Sequence, residues 1–433
     1  KKLHKLNFKK KSMKRNYYLV ALCIVTFFVI SFLTNIIGPL IPTIIEDFDL
    51  SLTMVAVLPF AFFIAYAAMS IPSGLLVEVY GEKKIMVVAF LVAFFGALLF
   101  GMFPNYLIAI ISLFLIGSGM AMLQVVINPL LREAGGQEHF AFNSQLGQLF
   151  FGLASFLSPL VYSYLVLNLE SGGAEGILLS TLATVVPAGL PWVSLYWIFA
   201  IVSLLMVVVI LASHFPEVER KEDEKVGIFE TLTLVKKPAV WLFFLGIFCY
   251  VGSEQGVANW TSEFLSTYHG YDPQTTGAST VSWLWGMMTV GTFVGLVLLK
   301  IIDSRKVLIS FTLGAIISLS LALFGSGPVA LYAFPAIGFF LAVMYPVIFS
   351  LSLNSVAEHH GSFSGILITG IGGGAVVPLI IGSLGDVLGL QFGMFFLYIT
   401  FGYILSIGFW ATPLVTNKTI DFSNKKETPQ NVS

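Results

Sequence analysis

Glu254 is the residue where chemistry in this sequence gathers. It sits in Tyr250-Val251-Gly252-Ser253-Glu254-Gln255-Gly256, inside an apolar run that starts near Ala239. At about 1.5 Å of helical rise per residue it lies roughly 22 Å into that run. A hydrocarbon core is about 30 Å thick, so the carboxyl group falls inside it. A carboxylate there is costly and marks function by default. A group that takes up and releases a proton, or holds a metal cation, is what coupling to an ion gradient requires. A neutral Glu hydrogen-bonded across helices for packing is the plainer alternative. Gly252 and Gly256 bracket it, which loosens the helix and admits a close approach by backbone or substrate.

Amides surround this candidate in pairs. Gln124 and Asn128 are spaced i, i+4, as are Gln255 and Asn259, while Gln145 and Gln148 are spaced i, i+3. Each pair shares one helix face. Amides both donate and accept, which suits a hydroxyl-rich, uncharged ligand. The same groups serve as interhelical glue, commonly worth about 1 kcal/mol or less per bond. Asn35, one turn before Gly38, can join them. Trp260, Trp283, Trp285, Tyr250 and Tyr345 have faces fit for stacking on an apolar C–H ring face, or for plain packing. Trp260 and Tyr345 stand nearest the polar stretches. His359 and His360 fall in a charged loop and read as a solvated pair. Cys23 and Cys249 lie in apolar runs, so neither a disulfide nor a metal site is expected. No nucleophile–base pair or phosphate loop appears at membrane depth, which argues against an enzyme. No cofactor is expected beyond a coupling proton or sodium ion.

The elements that position these residues are membrane helices. The chain has 433 residues, 57% hydrophobic and 10% charged, with a mean hydropathy of +0.92. That composition belongs to a polytopic membrane protein. A net charge of -1 gives no sign of a nucleic-acid partner. The first apolar run is long and lacks a convincing cleavage site, so no cleavable signal peptide is expected. Twelve runs are long enough to span, six before and six after a charged linker. With the amino terminus inside, all 22 Lys and Arg fall on one side. This is the positive-inside pattern, so both termini are expected in the cytoplasm. The expected organisation is a basic tail over 1–16, a six-helix bundle over 17–213, a linker over 214–238, a second bundle over 239–415, and a tail over 416–433.

The halves echo each other. Gly74 and Gly295, Gly117 and Gly338, and Gly152 and Gly373 are each 221 residues apart. Glycines kept at one offset in three helix pairs point to a duplicated six-helix unit. Two such units around a central site form the architecture of many secondary transporters.

The turn Gly74-Leu75-Leu76-Val77-Glu78-Val79-Tyr80-Gly81-Glu82-Lys83-Lys84 resembles the signature of the major facilitator superfamily. That signature has Asp where Glu78 stands and Arg where Val79 and Glu82 stand. Leu123-Gln124-Val125-Val126-Ile127-Asn128-Pro129, Met344-Tyr345-Pro346-Val347-Ile348-Phe349-Ser350 and Gly372-Gly373-Gly374-Ala375-Val376-Val377-Pro378 resemble the fucose–galactose–glucose:cation symporter branch. Tyr250-Val251-Gly252-Ser253-Glu254 adds a fourth stretch. Proton-coupled fucose members carry acids where Gly38 and Gln124 stand here; the glucose/galactose members look more similar.

The resemblance implies an all-α transporter of twelve transmembrane helices in two pseudo-symmetric bundles. It implies uptake of a hexose or related sugar by proton- or sodium-coupled symport with alternating access. A facilitative sugar uniporter and an exporter of an amphipathic drug or lipid stay open as alternatives. Glu254 is expected to couple the cation. Gln124, Asn128, Gln145, Gln148, Gln255, Asn259, Trp260, Tyr345 and Asn35 are expected to bind substrate. Gly74, Glu78, Gly81, Lys83 and Lys84 are expected to act as a conformational switch. A monomer in the plasma membrane, or the inner membrane of a bacterium, is the expected setting.

Overall fold

The computed structural model describes residues 16–135, 140–170, 176–187, 189–215, 233–355 and 360–412. In hydrocarbon no water pairs with backbone N–H and C=O groups, so each apolar run satisfies its own by coiling. All twelve expected spans are present: α1 (Tyr17–Phe48), α2 (Leu52–Val77), α3 (Glu82–Met102), α4 (Tyr106–Ile127), α5 (Leu146–Glu170), α6 (Pro191–Ala212), α7 (Pro238–His269), α8 (Pro273–Ile301), α9 (Ser304–Phe324), α10 (Gly327–Leu353), α11 (Gly365–Leu388) and α12 (Leu390–Trp410). An even number of crossings puts the start of α1 and the end of α12 on one side, called here the termini side. Between α5 and α6 the far-side connection contains a short helix over Ile177–Val185.

Membrane helices gain no hydrophobic energy from each other and associate by close packing, which small residues permit. A Cβ at Gly117 of α4 would strike the Phe62 carbonyl of α2, and one at Gly338 of α10 would strike the Leu284 carbonyl of α8. The glycine pair at the constant offset thus makes the same helix crossing in both halves. The repeat is in the packing as well as in the sequence.

Besides α12, which breaks at Phe395 between helices Leu390–Met394 and Phe396–Trp410, three spans are interrupted beside the cavity. α1 breaks at Asn35 and Ile36, between helices Tyr17–Thr34 and Ile37–Phe48. α10 breaks between Gly327–Leu341 and Met344–Leu353. α11 tightens into a 3-10 turn over Gly370–Gly372. Irregular backbone at membrane depth is tolerated where it borders a protein-lined cavity. Asn35, Ala342 and Ile371, one from each break, do line one.

Candidate functional site: a cavity between the halves

A cavity of about 680 Å³ lies between the two halves. Its wall comes from α1, α2, α4 and α5 on one side and α7, α8, α10 and α11 on the other. The lining extends to Thr292 and Phe293 of α8 and to Leu353 and Asn354 at the end of α10, so the cavity opens toward the termini side.

Glu254 occupies the middle of the continuous helix Pro238–His269 and lines the cavity. Tyr250 and Gln255, its neighbours on α7, line the same cavity beside it. Among the described residues, no Lys, Arg or His lines the cavity. The carboxyl therefore faces the lumen with amide and phenol company and no counter-ion. Tyr250 and Tyr345 hold their rings 5.7 Å apart, and Tyr345 stacks on Phe349 at 5.7 Å. Gly252 and Gly256 face the opposite way: a Cβ at either would press on Val377 or Ile381 of α11. They serve helix packing within the second half.

The other expected binding residues divide. Asn35, Gln124, Gln148, Gln255 and Tyr345 line the cavity. Asn35 donates from Nδ2 to Ser155 Oγ at 2.8 Å and to Ser31 Oγ at 3.3 Å, tying broken α1 to α5. Asn259 and Trp260 are not in the wall. Asn259 is buried where α7 meets α1, with its Cα near Gly38. Trp260 is fully buried and donates from Nε1 to the Pro378 carbonyl at 3.1 Å. The side chains of Asn128 and Gln145 lie outside the described residues, as does that of Glu78. In the expected switch, Gly81 takes φ +80, the left-handed region that glycine tolerates, and ends α2 at a tight turn. Lys83 donates to the carbonyls of Leu211 at 2.9 Å and Ser213 at 2.6 Å, capping α6 within its own half. Lys84 is exposed, and Gly74 has open space around it.

On the far side the halves are shut along three seams. A Cβ at Gly38 of α1 would collide with the Ala258 carbonyl of α7. α5 meets α8, where Ser282 Oγ donates to the Phe156 carbonyl and Gln274 Nε2 donates to Glu170 at 3.3 Å. α2 meets α11, where a Cβ at Gly382 would lie 2.6 Å from the Leu52 carbonyl oxygen. At that last seam the Asp386 carboxylate accepts from the backbone N–H groups of Leu52 and Thr53, both at 2.8 Å. An acid of one half thus caps the amino terminus of a helix in the other, where unpaired N–H groups favour negative charge. Asp386 and Tyr66, which lines the cavity beside Tyr345, are absent from the expected site. A signal for Asp386 exists: Gly382, Asp386 and Gly389 repeat the spacing of Gly74, Glu78 and Gly81.

The cap has a measurable consequence. Asp386→Ala removes two inter-half bonds, worth about 1 kcal/mol together at an exposed cap. That moves the balance between far-side-closed and far-side-open forms about fivefold toward open. The check is labelling by a membrane-impermeant maleimide at Ala56→Cys, a buried position on α2 that faces Gly382, with Cys23 and Cys249 replaced by serine. Asp386→Asn, which keeps one acceptor oxygen, is expected in between. An unchanged labelling rate in Asp386→Ala would mean that the cap does not hold the seam.

The comparisons with known proteins agree with this architecture. The Major Facilitator Superfamily profile matches residues 23–379. A glucose/galactose transporter of Brucella abortus biovar 1 (strain 9-941) is 32% identical over 409 residues, covering 92% of this chain and 95% of that protein. The L-fucose-proton symporter of Escherichia coli (strain K12) is 26% identical over 385 residues, covering 84% of this chain and 86% of that protein. A crystal structure of the E. coli fucose:proton symporter shares the fold with a TM-score of 0.64 at 22% identity, covering 92% of this chain and 100% of that one. Twelve spans, a glycine crossing repeated in both halves, and a cavity between those halves are thus joined to a sequence match over most of the length: the chain belongs to the Major Facilitator Superfamily, a family of transporters.

Proposed function

We propose that this protein takes up a hexose by proton-coupled symport, alternately exposing one central site to either side. The carrying observation is Glu254: a carboxyl group at mid-helix in the cavity wall, among amides, with no cation lining the cavity among the described residues. The relatives' names supply the substrate class, as glucose/galactose and fucose transporters. A hexose is uncharged and rich in hydroxyls, which matches a wall of Asn35, Gln124, Gln148 and Gln255 with aromatic faces at Tyr250 and Tyr345.

In the proposed cycle the units over 17–213 and 239–415 rock against each other. The termini side is the cytoplasm, on the ground that all 22 Lys and Arg fall there, and the membrane is the plasma membrane, or the inner membrane of a bacterium. The form described here is then the inward-open one. Sugar and proton would leave through the opening near Asn354 while the α1–α7, α2–α11 and α5–α8 seams keep the outside shut. Protonation of Glu254 removes a charge from the cavity wall and lets the loaded halves exchange seams. The protein is proposed to work as a monomer, since each chain carries a whole cavity.

The test is uptake of radiolabelled glucose, galactose and fucose into proteoliposomes under an imposed proton gradient, with a sodium gradient beside it. Accumulation above the external concentration driven by protons alone is expected. Accumulation driven only by sodium would replace the coupling ion. Uptake that merely equilibrates would make the protein a uniporter, and no uptake by folded protein would reject the sugar.

A further inference from the structure

Four tryptophans give the indole N–H an acceptor: Trp192 on Asp47, Trp241 on the Val235 carbonyl, Trp260 on the Pro378 carbonyl and Trp410 on Ser406. Trp285 of α8 has none among the described residues. It is 3% exposed, it lines the cavity, and its Nε1 is buried without a partner among the described residues. Trp197 also lacks an acceptor, but its indole packs on Gly101 away from the cavity. An unmade buried N–H is costly, so a native protein keeps one where a partner arrives in another state. Trp285 lines the cavity, so an occupant that the walls close upon can supply that partner.

The opposite wall holds the complement. Gln124 Oε1 of α4 is a buried acceptor with no partner among the described residues, and Gln124 lines the same cavity. The second half therefore contributes an orphaned donor and the first half an orphaned acceptor. A hydroxyl-bearing occupant satisfies both, because each hydroxyl can donate one bond and accept others. An occupant with only donors, or only acceptors, leaves one of the two unmade.

We propose that Trp285 is a specificity-determining residue whose indole N–H donates to one hydroxyl oxygen of the bound hexose. The inference rests on the sugar reading above and deepens it. A site built to hydrogen-bond a hydroxyl rejects the analogue lacking it, because the protein group is then left buried and unpaired. A tryptophan that only presented its ring face would discriminate on shape and be indifferent to a single hydroxyl.

The experiment compares wild type and Trp285→Phe in proteoliposomes. It measures binding of the parent hexose and of its single-deoxy analogues, one for each hydroxyl. In the wild type, one analogue is expected to bind about tenfold more weakly because of this bond. In Trp285→Phe the parent falls by that factor, that analogue is unchanged, and the penalty disappears; the other analogues keep their wild-type penalties. Trp285→His, which retains a ring N–H, should keep part of the penalty and provides the series if the Phe variant does not fold. A Phe variant that keeps every penalty, or weakens all sugars alike, overturns the assignment and leaves the sugar reading intact. A wild type that binds no hexose overturns the sugar reading and the assignment with it.

Discussion

Glu254→Gln abolishes proton-driven sugar accumulation and leaves sugar exchange running. Glutamine keeps the size of glutamate and a hydrogen-bonding head in a wall shared with Tyr250 and Gln255, but it cannot take up or release a proton. An imposed potential of 100 mV supplies about 2.3 kcal/mol per proton moved, which supports roughly 50-fold accumulation of a sugar carried one-to-one. With no proton carried, that factor falls to about one. Exchange survives because the amide resembles the protonated acid, the form in which the loaded halves are proposed to rearrange. The measurement is steady-state accumulation beside counterflow in the same vesicles, with preloaded unlabelled sugar. Loss of accumulation with counterflow kept within a few-fold of wild type gives Glu254 the coupling role. Equal loss of both would make it a packing or substrate-binding residue. Undiminished accumulation would move the coupling site elsewhere.

The spans were legible because a bilayer imposes one requirement on every crossing segment, and composition alone meets it. Glu254 was legible for the same reason, since one acid in an apolar run stands out. Asn259 and Trp260 were harder to place, because nearness in sequence is poor guidance on a helix. Five and six residues from Glu254 correspond to rotations of roughly 140° and 120° away from it. The structure accordingly buries Trp260 against α11 and Asn259 against α1. Tyr250, one turn from Glu254, shares its face. The breaks in α1 and α10 were marked by Pro39 and Pro346, each of which lacks the N–H that would bond back to Asn35 or Ala342 four residues earlier and crowds that carbonyl with its ring. The Gly370-Ile371-Gly372 break could be seen coming from its glycines. Asp386 was marked only by its echo of the Gly74, Glu78 and Gly81 spacing, and its cap was not legible because the partner is a helix end in the other half, 334 residues away. Trp285 was visible as an aromatic, whereas its missing acceptor is a property of the fold.

Gly38 carries the second large prediction. In sequence it reads as a loss, a glycine where fucose symporters have an acid. In the structure it is the point where α1 and α7 touch backbone to backbone, with no room for a Cβ before the Ala258 carbonyl. Small residues permit that approach, and ordinary side chains hold helix axes about 8–10 Å apart. Gly38→Val places a branched carbon and two methyl groups in the seam. Neither side can give way cheaply, because the obstacle is backbone of a continuous helix. The α1–α7 seam cannot close, and because the halves move as units, the α2–α11 and α5–α8 seams are held apart too. The protein is then arrested with its far side open. Net uptake and counterflow both fall at least about 100-fold, since a gap that costs about 3 kcal/mol or more leaves under roughly one per cent of the closed form. Sugar binding from the far side persists, which separates arrest from misfolding. Impermeant maleimide should label Ala56→Cys readily in Gly38→Val and slowly in the parent, with Gly38→Ala in between. Transport and Ala56→Cys protection that both survive in Gly38→Val would show that the α1–α7 contact is incidental to the closed state. Loss of transport with labelling unchanged would put the damage in the cavity and not in the seam.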